Sequence, residues 1–126
     1  NLLYHPGMHI RIQLGIILTC LPFAALADPP TIEAVSAHKS SSGWNFDVTL
    51  AHPDTGWDHY ADGWRVLDQD GTELAMRVLH HPHVQEQPFT RSIGGVQVPE
   101  GVKVVQIEAR CLVDGWSGER ISITLP

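Results

Sequence analysis

Basic residues are scarce in this chain of 126 residues: eight lysines and arginines face 14 aspartates and glutamates, for a net charge of −6. Nucleic-acid binding by phosphate neutralisation needs the opposite balance, as does a basic patch for an anionic membrane. Charged residues reach only 17% against 43% hydrophobic ones, which excludes a disordered acidic tail. Cysteine is limited to Cys20 and Cys111. No Gly-x-Ser-x-Gly nucleophile elbow occurs, and no convincing helical periodicity follows residue 27. The longest apolar run falls short of the ~20 residues that cross a bilayer.

What is present in excess is histidine. Eight histidines equal the lysines and arginines together. Two of them, His5 and His9, lie in a segment that reads as an export signal. From Met8 the chain runs Met-His-Ile-Arg, then apolar from Ile12 to Leu26, ending Ala25-Leu26-Ala27 before Asp28-Pro29-Pro30. A basic start, a short apolar stretch broken by Pro22 and a small-x-small end predict a signal helix cleaved after Ala27. Residues 1–7 read as an over-extended frame or an expression remnant. Lipoprotein processing at Cys20 is disfavoured by Thr19, which stands where a small Gly or Ala is usual. Periplasmic or secreted protein with no stable membrane anchor is the resulting expectation.

Residues 28–126 form one domain by length. Arg11 departs with the leader, so seven basic residues face 14 acidic ones, a net of −7. Only Cys111 remains, which excludes an intramolecular disulfide despite the oxidising destination.

Alternation dominates the mature part. Trp44, Phe46, Val48 and Leu50 share one phase, as do Val105, Ile107, Ala109, Cys111 and Val113, and Ile121, Ile123 and Leu125. Weaker strands are expected at Thr31–Ala37, Trp64–Asp68, Glu73–His80 and Phe89–Ile93. Seven short strands with short connections predict an all-β, immunoglobulin- or fibronectin-III-like sandwich. In that topology Ala51–Gly63, His81–Pro88 and Asp114–Glu119 emerge at one end, and five of the six mature histidines lie in or beside them. The exception is His38.

This clustering points to a metal site. In His81-Pro82-His83 an extended backbone puts both imidazoles on one face, and Pro82 favours that extension. His52, His59 and Asp58 supplement the pair, with Asp54 nearby. Imidazole and carboxylate together suit copper or zinc rather than calcium or magnesium. Cys111, on the inward phase, reads as a small buried hydrophobe. No acid–base or nucleophile pair stands out, so the chain reads as non-catalytic. Trp44 and Trp64 read as core, whereas Trp57 and Trp116 fall in loops at the histidine end. Exposed aromatics there offer the alternative of a protein- or glycan-binding module, with another periplasmic protein as partner.

Two stretches, His52-Pro-Asp-Thr-Gly-Trp-Asp-His-Tyr-Ala-Asp-Gly-Trp64 and His81-Pro-His-Val-Gln-Glu-Gln-Pro-Phe-Thr-Arg-Ser92, resemble a group of small exported bacterial proteins without assigned activity. The resemblance implies a fold and a compartment, not a reaction. Leu50-Ala-His-Pro-Asp-Thr-Gly56 is also similar to a stretch of the SoxZ-type subunit of the periplasmic sulfur-oxidation carrier, itself an immunoglobulin-like sandwich. Asp114–Glu119 departs from that family, and the resemblance implies no sulfur-carrying cysteine here.

Overall fold

Alternating apolar residues can bury one face only if a second sheet covers it, and the chain resolves this with two antiparallel sheets. A computed structural model describes residues 17, 19–21 and 28–126. The start at Met8, the body of the signal helix and the cleavage point after Ala27 lie outside the described residues. Seven strands follow in order: β1 Thr31–Ser40, β2 Gly43–Ala51, β3 Ala61–Leu67, β4 Glu73–Val78, β5 Phe89–Val96, β6 Val104–Cys111 and β7 Gly115–Thr124. One sheet has the order β1-β2-β5 and the other β4-β3-β6-β7. No helix among the described residues is long and apolar enough to cross a membrane.

The inward phases meet between the sheets. Phe46, Val48 and Leu50 from β2 pack with Trp64 and Val66 from β3, Val105, Ile107 and Ala109 from β6, and Phe89 from β5. Burying each of the larger side chains contributes about 1.5–3 kcal/mol. Trp64 is fully enclosed, while Trp44 is half-buried against the cluster's edge.

Expected boundaries of the first six strands shift by a few residues at most, β4 ending at Val78 instead of His80 and β6 at Cys111 instead of Val113, and that of the last strand shifts further. The sequence pattern starts the last strand at Ile121 and leaves Trp116 in a loop, but β7 begins at Gly115 and pairs Trp116 with Arg110. The reason is that β7 buries no clean face, so period-two alternation is missing over its first half. Trp116 instead packs on the outer surface of its sheet, with the Arg65 guanidinium 3.8 Å from its ring centre. Arg65 also donates to Glu108 Oε1 from Nε at 3.0 Å and Nη2 at 2.6 Å. That contact explains how Glu108 can be only 2% exposed on an outward phase.

Three connections matter for function. The chain passes between sheets from β2 to β3 and from β4 to β5, and β6 turns directly into β7. Gly115, at φ +75°, closes that last turn in the left-handed conformation glycine adopts without strain. Backbone bonds tie the ends together: Leu112 N–H donates to Tyr60 O at 3.0 Å and Leu79 N–H to Asp62 O at 3.0 Å. The Ala61↔Cys111 pair sets the start of β3 beside the end of β6. The β2–β3 and β4–β5 connections and the β6–β7 turn therefore share one end, although the last is a short turn and not the expected Asp114–Glu119 loop.

Candidate functional site

A buried carboxylate organises this end. Asp54, only 6% exposed, lies between β2 and β3. Its Oδ1 accepts from His52 Nδ1 at 2.6 Å and from Ala61 N–H at 2.9 Å. Its Oδ2 accepts from His83 N–H at 2.8 Å. One side chain thus fixes a histidine ring, the first residue of β3 and the β4–β5 loop. Gln87 adds a second clasp: its Oε1 accepts from His52 N–H and its Nε2 donates to His83 O, each at 2.9 Å.

The bond to Asp54 assigns the tautomer of His52. With Nδ1–H donating to a carboxylate, a neutral ring presents its lone pair at Nε2. That Nε2 is buried and has no partner, and neither does the buried Nε2 of His59. The two rings meet edge to face with centres 4.9 Å apart. Cys111 completes the group: one ligand atom each from His52, His59 and Cys111 lies within 4.8 Å of the other two. A shallow hollow of ≈ 300 Å³ borders His52, Pro53, Gln87 and Asp28. A larger one of ≈ 400 Å³ runs between β1 and β7 and is lined by no histidine.

His81 and His83 form a separate pair, with ring centres 4.6 Å apart. His83 stacks on Phe89 at 3.9 Å, and its Nε2 lies 2.8 Å from Arg91 Nη2. Guanidinium has only donors, so His83 Nε2 is the acceptor and its lone pair is already used. Asp58 is exposed and is not a member of the three-residue group. Of the residues singled out from sequence, the structure gathers His52 and His59, and it adds Cys111. The cysteine was hidden because an inward phase predicts burial whether or not a histidine stands beside the thiol. It is the last residue of β6, where the core opens on the loops, an end that the expected alternation through Val113 did not mark. Burial itself is as expected, at 0% exposure.

Burial lowers the His83 pKa from 6.5, and repulsion by Arg91 and His81 adds to this, while Glu86 and Asp54 pull the other way. Protons therefore bind the unfolded chain more readily at this position. The stabilising contribution is full above pH 6.5 and is lost as pH falls through the folded-state value. Urea unfolding at about pH 7.5 and about pH 5.5 should show lower stability in acid, with a smaller loss for His83→Gln. Equal acid losses in the two proteins would remove His83 as the source.

Comparisons with known proteins add one relative. A protein of Halomicrobium mukohataei described as "Putative lipoprotein" is 40% identical over 78 residues, 62% of this chain. The match covers 38% of that protein, so the chain spans about two fifths of the relative's length. No family model matches. No solved structure matches either.

Four exposed hydrophobic residues also belong to this end: Trp57, Val84, Leu112 and Val113. Trp57, 66% exposed, meets Tyr60 edge to face with ring centres 5.9 Å apart. Trp116 differs, being half-buried with Arg65 over its face.

Proposed function

We propose that this chain is a small exported, non-catalytic protein with an immunoglobulin- or fibronectin-III-like sandwich that binds a transition metal, copper or zinc, at its histidine-bearing end. The observation that carries this reading is the pair of bare, buried imidazole nitrogens of His52 and His59 beside the Cys111 thiol. Buried polar atoms without partners are rare because each costs about 1–3 kcal/mol, and a metal ion would satisfy both. The signal-like leader supports export to the periplasm or beyond. The description of the Halomicrobium mukohataei relative as "Putative lipoprotein" supports a cell-envelope setting. The three-plus-four strand arrangement supports the fold-family reading.

Calorimetric titration of the untagged protein with Cu(II) and Zn(II) tests the metal reading. A single tight site is expected, and combining His52→Ala with His59→Ala should weaken it at least about 100-fold. An affinity no better than that of free imidazole would reject it.

A second reading, a contact surface for another exported protein or a glycan, is favoured by the apolar rim of Trp57, Val84, Leu112 and Val113. Trp57→Ala should then remove captured partners while leaving metal affinity unchanged.

A further inference from the structure

We infer that the ion held at this end is copper, in a three-coordinate set made by Cys111 Sγ and the Nε2 atoms of His52 and His59. This rests on the metal reading above and specifies its ligands and its ion. Ligand number is the first argument. Structural zinc takes four protein ligands in a tetrahedron and three-ligand zinc keeps a position open for water, whereas two histidines and one thiolate are the trigonal ligand set characteristic of copper. Asp54, the carboxylate bonded to His52, is already committed. Its Oδ1 accepts from His52 Nδ1 and Ala61 N–H, and its Oδ2 from His83 N–H. Asp58 is exposed and outside the group.

Preorganisation is the second argument. His52 is 2% exposed, its ring is oriented by Asp54, and its bare Nε2 needs no rotation to become a ligand. Val113 N–H donates to Cys111 Sγ at 3.4 Å, which supports negative charge on sulfur. The thiol proton faces Asp114 Oδ2 at 3.8 Å. Bonds of about 2.0–2.3 Å require ligand atoms about 3.5 Å apart, so the group must close by about 1 Å from its 4.8 Å limit. The His59 backbone is held by bonds with Thr55 and Gly56, so the closure falls to rotation of its half-buried ring.

The binding step balances without a redox partner. The Cys111 S–H bond breaks, its proton passes to solvent, and sulfur donates the electron pair of the new S–Cu(II) bond. Copper keeps its oxidation state. Thiolate and the Asp54 carboxylate together offset the double charge of the ion, which is what a site of such low exposure needs. Burial of Cys111 also keeps a second thiol from reaching it, so oxidation to an interchain disulfide is blocked.

Titration of the untagged full chain with Cu(II), followed by visible absorption and electron paramagnetic resonance, tests the assignment. An intense thiolate-to-copper charge-transfer band is expected, with copper binding at least about tenfold tighter than zinc. Cys111→Ser and Cys111→Ala should both abolish the band, with circular dichroism verifying that each variant is folded. His59→Ala, at a half-buried loop position, should weaken copper at least about tenfold and provides the test if the cysteine variants fail to fold. Copper bound without the band, or zinc bound more tightly, would overturn the copper–thiolate assignment and leave the metal reading intact. Absence of any bound metal would overturn both.

Discussion

Asp54→Ala is expected to cost about 3–5 kcal/mol of folding stability, more than any other single change at the histidine end. The carboxylate accepts hydrogen bonds from three donors: the His52 ring, Ala61 N–H and His83 N–H. Each buried donor left bare loses about 1–3 kcal/mol, and relaxation recovers part of the sum. The loss approaches the entire stability of a small domain, so the variant is expected to be partly unfolded at physiological temperature. Asp54→Asn should cost less, because one carbonyl oxygen remains, yet its amide faces a donor on the other side. Urea denaturation of the three proteins orders them wild type, Asn, Ala. An alanine variant within about 1 kcal/mol of wild type would show that water reaches these donors and that the hub is not dry. The same substitution uncouples the site, since the His52 ring loses the group that holds its tautomer.

How much of this was legible beforehand depended on whether a residue's role follows from pattern or from company. β2 and β6 alternate cleanly because each has one face in the core; β2 was readable almost to the residue, whereas β6 ends at Cys111 and leaves Val113, expected on the inward phase, 61% exposed. β7 was half-missed because Trp116, Ser117, Gly118 and Glu119 pack on an outer surface where no alternation is required. Convergence of the loops followed from strand order alone, so the location of the histidines was available without coordinates. Their pairing was not. Which nitrogen is free depends on what the other binds, and that choice is made by Asp54, two residues from His52, and by Arg91, on β5 eight residues from His83. His83 spends its lone pair on a guanidinium eight residues away and keeps a buried Nδ1 without a partner, whereas His52 keeps a bare acceptor at Nε2. Cys111 shows the limit most plainly: hydrophobic phase and ligand role predict the same burial, and only a three-dimensional neighbour separates them.

Trp64→Ala is the second large effect, expected at about 3–5 kcal/mol. Trp64 is the largest fully buried side chain and joins β3 to the inward residues of β2 and β6. Those are the strands whose ends carry His52 and Cys111. Removing the indole leaves a cavity that the two sheets cannot close without losing contact elsewhere. Trp64→Phe makes the argument sharper. The indole Nε1 is buried without a hydrogen-bond partner, so phenylalanine gives up volume and an unsatisfied donor together. Its cost should therefore stay near about 1–2 kcal/mol. Metal affinity separates packing from ligation: with the proposed copper site, the phenylalanine variant should bind copper within about threefold of wild type, because it disturbs none of the three proposed ligands. If Trp64→Phe instead costs as much as the alanine, the indole nitrogen has a partner that matters. If it abolishes copper binding while the fold is retained, the strand ends are positioned by the core itself and not by the Asp54 clasp.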